Sequence, residues 1–319
     1  MMSSLGIPLV QGLRMLVNGP SGQLVQIPEP DEDCVMEPGQ NLRQTLDILA
    51  GKVPVSIPEL PSRLDALMRP YQKEGFSFLY RITEQGFGAC LADDMGLGKT
   101  LQAIAWLDTL RRKGRLEGLP ALIVAPASLL SNWKEEAQRF APELILRIMH
   151  PSSPNPWQPE KTLRRKDCHA VITTYGMAAR TSALADLHFP AMILDEAQAI
   201  KNAGSARSRA IRSLHGERRI ALSGTPVENN LNELWSLMEF LNPGLLGSRK
   251  SFESFTRSLE RGYAPLRRLV RPFILRRMKT DPALVPDLPD KTEIPAYCSL
   301  TPEQAALYQT QIDLSLIHI

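Results

Sequence analysis

A chain of 319 residues, 43% hydrophobic and 22% charged, holds enough apolar material for one large or two small cores, which excludes a disordered polypeptide. No apolar run approaches the ~20 residues of a membrane span, and no basic segment followed by an apolar one opens the chain; the expected location is cytoplasmic. A net charge of +3 names no partner, and the four cysteines (Cys34, Cys90, Cys168, Cys298) form neither a C-x-x-C pair nor a zinc set with the histidines.

Residues 1–60 are rich in Gly, Pro and acidic residues (Glu29, Asp31, Glu32, Asp33, Glu37, Asp47) and read as the tail of an upstream module plus a linker, VPVSIPELPSR. From Leu64 the pattern sharpens. Leu64, Leu67, Tyr71, Phe76, Leu79 and Tyr80 recur at helical spacing and predict an amphipathic helix pair.

Next comes CLADDMGLGKTLQ (90–102): an apolar strand, a turn containing Gly96 and Gly98, then Lys99-Thr100 opening an apolar-periodic helix. Glycines in such a turn let backbone N–H groups face an anion, with the positive end of the helix dipole behind them. Lys99 would reach the β- and γ-phosphates, and the Thr100 hydroxyl would hold Mg²⁺. The generic pattern G-x-x-x-x-G-K-[ST] is not fully met, because its first position is Asp93. A glycine-rich turn with an unrelated lysine is the competing reading.

Downstream, ALIVAP (121–126), ELILRIMH, HAVITTY (169–175), AMILDEA (191–197) and RRIALSGT (218–225) are strand-like, with helical stretches between most of them; Ser131 is the expected N-cap of SLLSNWKEEAQRF. Short apolar strands separated by helices predict a mostly parallel α/β sheet covered on both faces. Asp93, Thr173, Asp195 and Ser223 fall at the strand ends, where open α/β sheets bind ligands.

ILDEAQAIKN (193–202) delivers two adjacent acids at a strand end. Asp195 can hold the Mg²⁺ shell, and Glu196 can orient or deprotonate an attacking water. Solvated strand-end acids are the alternative. Residues 249–279 are strongly basic, including Arg249, Lys250, Arg257, Arg261, Arg267, Arg268, Arg271, Arg276, Arg277 and Lys279, which suits either a polyanion or a solvated helical face.

In order, the motifs from about Leu67 to Pro295 resemble those of the SWI/SNF-type ATPases of helicase superfamily two. MRPYQKEG (68–75) resembles the glutamine motif, in which Gln72 would bond the adenine, and DDMGLGKT (93–100) resembles the family's phosphate loop, acidic first position included. APASLLSNWKEE, TTYG, DEAQAIKN, LSGTPVENNLNELWSLMEFLNP and PFILRRMKTDPALVPDLPDKTE follow in register.

The resemblance implies a RecA-like P-loop lobe plus a basic helical extension. ATP and Mg²⁺ would be its cofactors, and double-stranded DNA its track. Asp94, Met95, Gly96, Leu97, Gly98, Lys99 and Thr100 would cradle phosphate, and Gln198, where many eukaryotic members have histidine, would sense the γ-phosphate. Ser128, Asn132, Thr173, Thr174, Ser223, Gly224, Thr225, Asn229 and Asn230 would face nucleic acid; helix capping competes for the two asparagines. Trp133 is read as packing rather than base-stacking. DEAQ with AIKN resembles prokaryotic members, so a bacterial or archaeal source is expected and, if the source is prokaryotic, a nucleoid-associated location.

The implied domains are 61–245 for the ATP-binding lobe and 246–313 for the extension, with the connection to a second lobe beginning there. That lobe's arginines are worth roughly 10³ to 10⁵ in turnover in phosphoryl transfer, so these residues alone are expected to bind nucleotide and hydrolyse it poorly. LSLIHI (314–319) matches the translation of CTGTCTCTTATACACATC, a sequencing adapter, and is expected to be non-native. A motor recycling RNA polymerase and a nucleotide-gated protein-binding module are the alternatives to a DNA translocase.

Overall fold

The computed structural model describes residues 47–49, 52–153, 168–225, 230–257, 263–281, 284 and 301–317. Residues 1–46 of the N-terminal segment 1–60, the LPDKTE connection and Asn229 lie outside the described residues. Two compact units are formed, Met1–Asp281 and Pro282–Ile319.

The first unit begins with the expected helix pair, α1 (Ser62–Leu67) and α2 (Pro70–Glu84). Pro70 starts α2 at a position where its missing N–H costs nothing, and the Gln72 side chain returns to the Arg69 N–H, closing a capping box. Leu64, Phe76, Leu79 and Ile82 are buried, whereas Leu67 is exposed because it lies in the last turn of α1, off the packed face.

Strand β1 (Ala89–Leu91) runs into the glycine turn and α3 (Lys99–Arg112). There follow β2 (Ala121–Ala125), α4 (Leu130–Phe140), β3 (Leu146–Met149), β4 (Ala170–Thr174), α5 (Tyr175–Arg180), β5 (His188–Leu194), α6 (Ala206–Arg212), β6 (His215–Leu222) and α7 (Leu231–Leu241). Helices α8 (Arg249–Arg257) and α9 (Ala264–Val270) lead to a two-residue strand, β7 (Ile274–Leu275). Ser131 does not cap α4; a 3-10 turn over Ala127–Leu129, started by Pro126, sets the N-cap two residues earlier, at Leu129, and leaves Ser131 exposed in the first turn.

The seven strands stand in the order β3-β4-β2-β5-β6-β1-β7, every pairing parallel. The middle strands β1 and β2 are buried along their whole length, as a sheet with both faces covered requires. Because β1 and β2 are consecutive in sequence but separated by β5 and β6, the carboxyl ends of these strands converge on one edge, where doubly wound sheets bind ligands.

Helix α2 packs on α3 at closest approach through Gly75. A Cβ there would stand 1.8 Å from Gln102 Oε1, so no other residue fits without displacing Gln102. Trp106 donates to Thr83 Oγ1 at 3.0 Å across the same interface. At the foot of β1, Gly88 N donates to Asn242 Oδ1 at 2.9 Å and Asn242 Nδ2 donates to Gly88 O at 3.1 Å, so one side chain stands in for a neighbouring strand.

The packing runs past the expected division at residue 245. Phe252, Phe255, Leu266, Leu269 and Phe273 join the core and β7 joins the sheet, so the compact unit continues to Asp281. In the second unit, described by itself, α10 (Pro302–Ile317) is the expected helix, with Thr301 N bonded to Gln304 Oε1 at 3.1 Å. Among the described residues no helix is long and apolar enough to cross a membrane.

Candidate functional site

The loop after β1 turns twice through left-handed backbone, at Gly96 (φ 85°) and Gly98 (φ 76°), which only glycine adopts without strain. Gly98 is the N-cap of α3, so the loop's amides stand at the helix's positive end. Lys99 is buried and aims back over the loop, its Nζ donating to Asp93 O at 2.7 Å and Asp94 O at 3.4 Å. Thr100 sits half-buried in the first turn of α3.

Leu97 is buried, and its carbonyl accepts from Gln72 Nε2 at 3.2 Å and Gln102 Nε2 at 3.4 Å. Gln72 is thus fixed at both ends of its amide, one on the start of α2 and one on the loop. Met95 is exposed at the loop tip, and its Cγ lies 3.2 Å from where a Cβ on Gly224 would stand, so the segment after β6 approaches the loop there.

The first loop residue, Asp93, is fully buried and ion-paired with Arg277 at 2.5 Å. That pair explains the acid in place of the generic pattern's glycine, and it corrects the reading of Arg277 as part of a basic outer face. Buried, with Nη2 also donating to Gln102 Oε1 at 3.0 Å, Arg277 is a structural cation.

Asp195 and Glu196 follow β5, two strands from β1 with β6 between. Asp195 Oδ2 accepts from Trp133 Nε1 at 2.7 Å and Oδ1 from Glu196 N at 2.9 Å; Tyr175 Oη donates to Asp195 O at 2.7 Å. Burial pushes the Asp195 carboxyl above its usual value; the Trp133 bond and Lys99 act in the opposite direction, which places the lysine within electrostatic reach of the acid. Burial, with Asp195 and Glu196 adding to it, holds the Tyr175 phenol well above its ordinary value, so it remains a donor. Glu196 is left-handed (φ 50°), the single non-glycine residue with positive φ among the described residues.

Gln198 links the two chemistries. Its Nε2 donates to Glu196 Oε2 at 2.6 Å, and its Oε1 accepts from Ser223 Oγ at 3.0 Å, while Thr225 N donates to Ser223 Oγ at 3.1 Å. The acid box and the SGT segment are therefore one hydrogen-bonded chain.

The residues assigned to nucleic acid are not all presented. Thr173 is corrected: fully buried within β4, it donates to Met149 O at 2.8 Å. Ser223 is corrected likewise, because it is buried and committed to Gln198. Thr174 caps α5 by accepting from Met177 N at 3.2 Å, and Asn230 caps α7 by accepting from Glu233 N at 3.3 Å. Ser128, Asn132 and Thr225 are exposed, and Asn132 donates to Glu136 Oε1 at 3.0 Å. Trp133 is fully buried, as its packing role requires. Its bond to Asp195 escaped the sequence, since nothing local connects residues so far apart.

Residues 71–318 match the SNF2-related domain. The chain is 43% identical to YwqA of Bacillus subtilis over 259 residues, covering 79% of this chain and 28% of that protein. It is 39% identical over 272 residues to the chromatin-remodeling ATPase INO80 of Vanderwaltozyma polyspora, covering 79% of this chain and 17% of that one. Among solved structures, the Sulfolobus solfataricus SWI2/SNF2 ATPase core in complex with dsDNA is 41% identical with a TM-score of 0.66, covering 81% of this chain and 54% of that one. The present chain thus spans about half of that core and a smaller part of the two longer proteins. It belongs to the SNF2-related domain family, as a RecA-like lobe of its helicase-like ATPases.

Proposed function

We propose that this lobe binds ATP with Mg²⁺ and, together with a second lobe, drives translocation along double-stranded DNA. The observation that carries this reading is that the loop bearing Lys99 follows β1 and the Asp195–Glu196 pair follows β5 at the carboxyl ends of one parallel sheet, with Glu196 joined through Gln198 to the segment after β6. The donor set suits the ligand: left-handed glycines and a helix N-terminus for phosphate, a hydroxyl and a desolvated carboxylate for a hard cation.

Lys99, freed from Asp93 O and Asp94 O, would pair with phosphate oxygens, and Thr100 with Asp195 would hold the metal shell. Bound Mg²⁺ neutralises charge on the phosphates. Glu196, turned by its left-handed backbone and held by Gln198, would orient water and take its proton. Removal of the bond between Glu196 and Gln198 would be felt at Ser223 and Thr225, which gives nucleotide chemistry a route to the outer surface.

DNA as the track is supported by the Sulfolobus core, which was solved with dsDNA, and by the exposed residues Ser128, Asn132 and Thr225 at the carboxyl ends of the strands. In a protein carrying both lobes, ATP turnover is expected to rise on adding duplex DNA and to vanish with Lys99→Ala. Turnover indifferent to duplex DNA sinks the translocase reading.

A further inference from the structure

The segment from Ile274 to Asp281 follows the phosphate loop almost residue for residue. Ala92 N donates to Leu275 O at 2.7 Å, Asp94 N to Arg277 O at 3.0 Å, and Lys279 N to Asp94 Oδ2 at 2.9 Å. Arg277 bolts this strap down: its guanidinium grips both oxygens of Asp93, reaches the Tyr71 carbonyl and lies over the Tyr71 ring at 5.3 Å.

The strap ends with Lys279 over the loop. Its Nζ lies 2.8 Å from the point where a Cβ on Gly96 would stand, at the first left-handed turn of the cradle. Lys279 is exposed, and among the described residues no carboxylate lies within ion-pair reach of its ammonium. Two acids, Asp93 and Asp94, open this loop, and an acidic loop repels a polyphosphate unless cations offset it. Arg277 spends its charge on Asp93, and Lys99 supplies one cation from within the loop.

We propose that Lys279 is a second phosphate-binding cation of the nucleotide site, delivered by the strap and positioned by the Arg277–Asp93 pair. This rests on the ATP reading of the loop. Its consequence is that the chain leaving the lobe touches the nucleotide itself, so occupancy of the site tightens the strap.

The test is equilibrium titration of the purified chain with a fluorescent ATP analogue and Mg²⁺, comparing Lys279→Met, Lys279→Arg and Lys99→Ala, with thermal unfolding of each. Lys279→Met is expected to weaken binding about tenfold, the loss of one charge-assisted contact, with the melting temperature unchanged; Lys279→Arg should restore most of the affinity. Binding by Lys279→Met within about twofold of the unaltered chain, with Lys99→Ala abolished, overturns the Lys279 assignment alone. Undiminished binding by both variants overturns the ATP reading beneath it.

Discussion

Trp133 donates its indole N–H to Asp195 Oδ2 at 2.7 Å across 62 residues of sequence, tying helix α4 directly to the acid box. The exposed Ser128 and Asn132 sit on the same helix and its lead-in turn, so a push on that surface reaches the carboxylate through a single side chain.

Trp133→Phe keeps an aromatic ring at the buried position and removes the donor. Burial already raises Asp195, and losing the bond that opposes it raises the carboxyl further. Since its folded value lies above the unfolded one, the carboxyl binds its proton more tightly in the native state. Its ionisation therefore lowers stability as pH rises from the usual carboxylate value through the folded value. Mg²⁺-dependent nucleotide affinity has the opposite sense: full above the folded value, lost as pH falls through it. In Trp133→Phe that loss should begin at higher pH, and superimposable pH profiles would contradict the link.

Arg277→Met strands the Asp93 carboxylate in a fully buried position. Breaking one partner of such a pair costs about 3–5 kcal/mol, so urea unfolding should show a loss of that order, partly recovered in Asp93→Ala/Arg277→Met. Additive losses in the double variant would show the two side chains to be independent.

Gln198→Ala cuts the connection between Glu196 and Ser223 while leaving the Lys99 and Asp195 contacts in place. Nucleotide binding should persist, as it should in Glu196→Gln, while turnover in the two-lobed protein falls about 10²-fold or more in Glu196→Gln and less in Gln198→Ala. Loss of binding in either variant would mean that these residues hold the ligand rather than act on water.

Cys90 lies fully buried behind the loop, its thiol pushed up to about 12, chiefly by desolvation with Asp93 adding to it. In a variant whose other three cysteines are serine, a thiol reagent at pH 8 should label Cys90 only at the rate at which β1 opens. Prompt labelling of the folded chain would be the contrary result.

The loop, the acid pair and the parallel sheet were legible because each is written locally: an apolar run, then glycine or acid, then a helical period. The contacts that join them were not. Asp93 and Arg277 stand 184 residues apart, and an arginine destined for a buried acid looks in sequence like its neighbours on a basic face. Strand β7, two residues long, leaves no periodicity to read. Thr173 and Ser223 lie at strand ends, as the apolar runs predict, yet both side chains are taken up internally, a matter of which face each residue turns to, set by packing. Trp133 packs as its apolar surroundings predict, and its polar edge is explained only by the Asp195 carboxylate beside it.

Glu196 occupies backbone that glycine or asparagine would adopt with less strain. A search for hardier variants by melting temperature alone would favour those replacements at this position and, on the proposed mechanism, select proteins that no longer turn over. Thermal screens of this fold therefore need a functional counter-screen, because this gain in robustness sits on the residue proposed above to act on the attacking water.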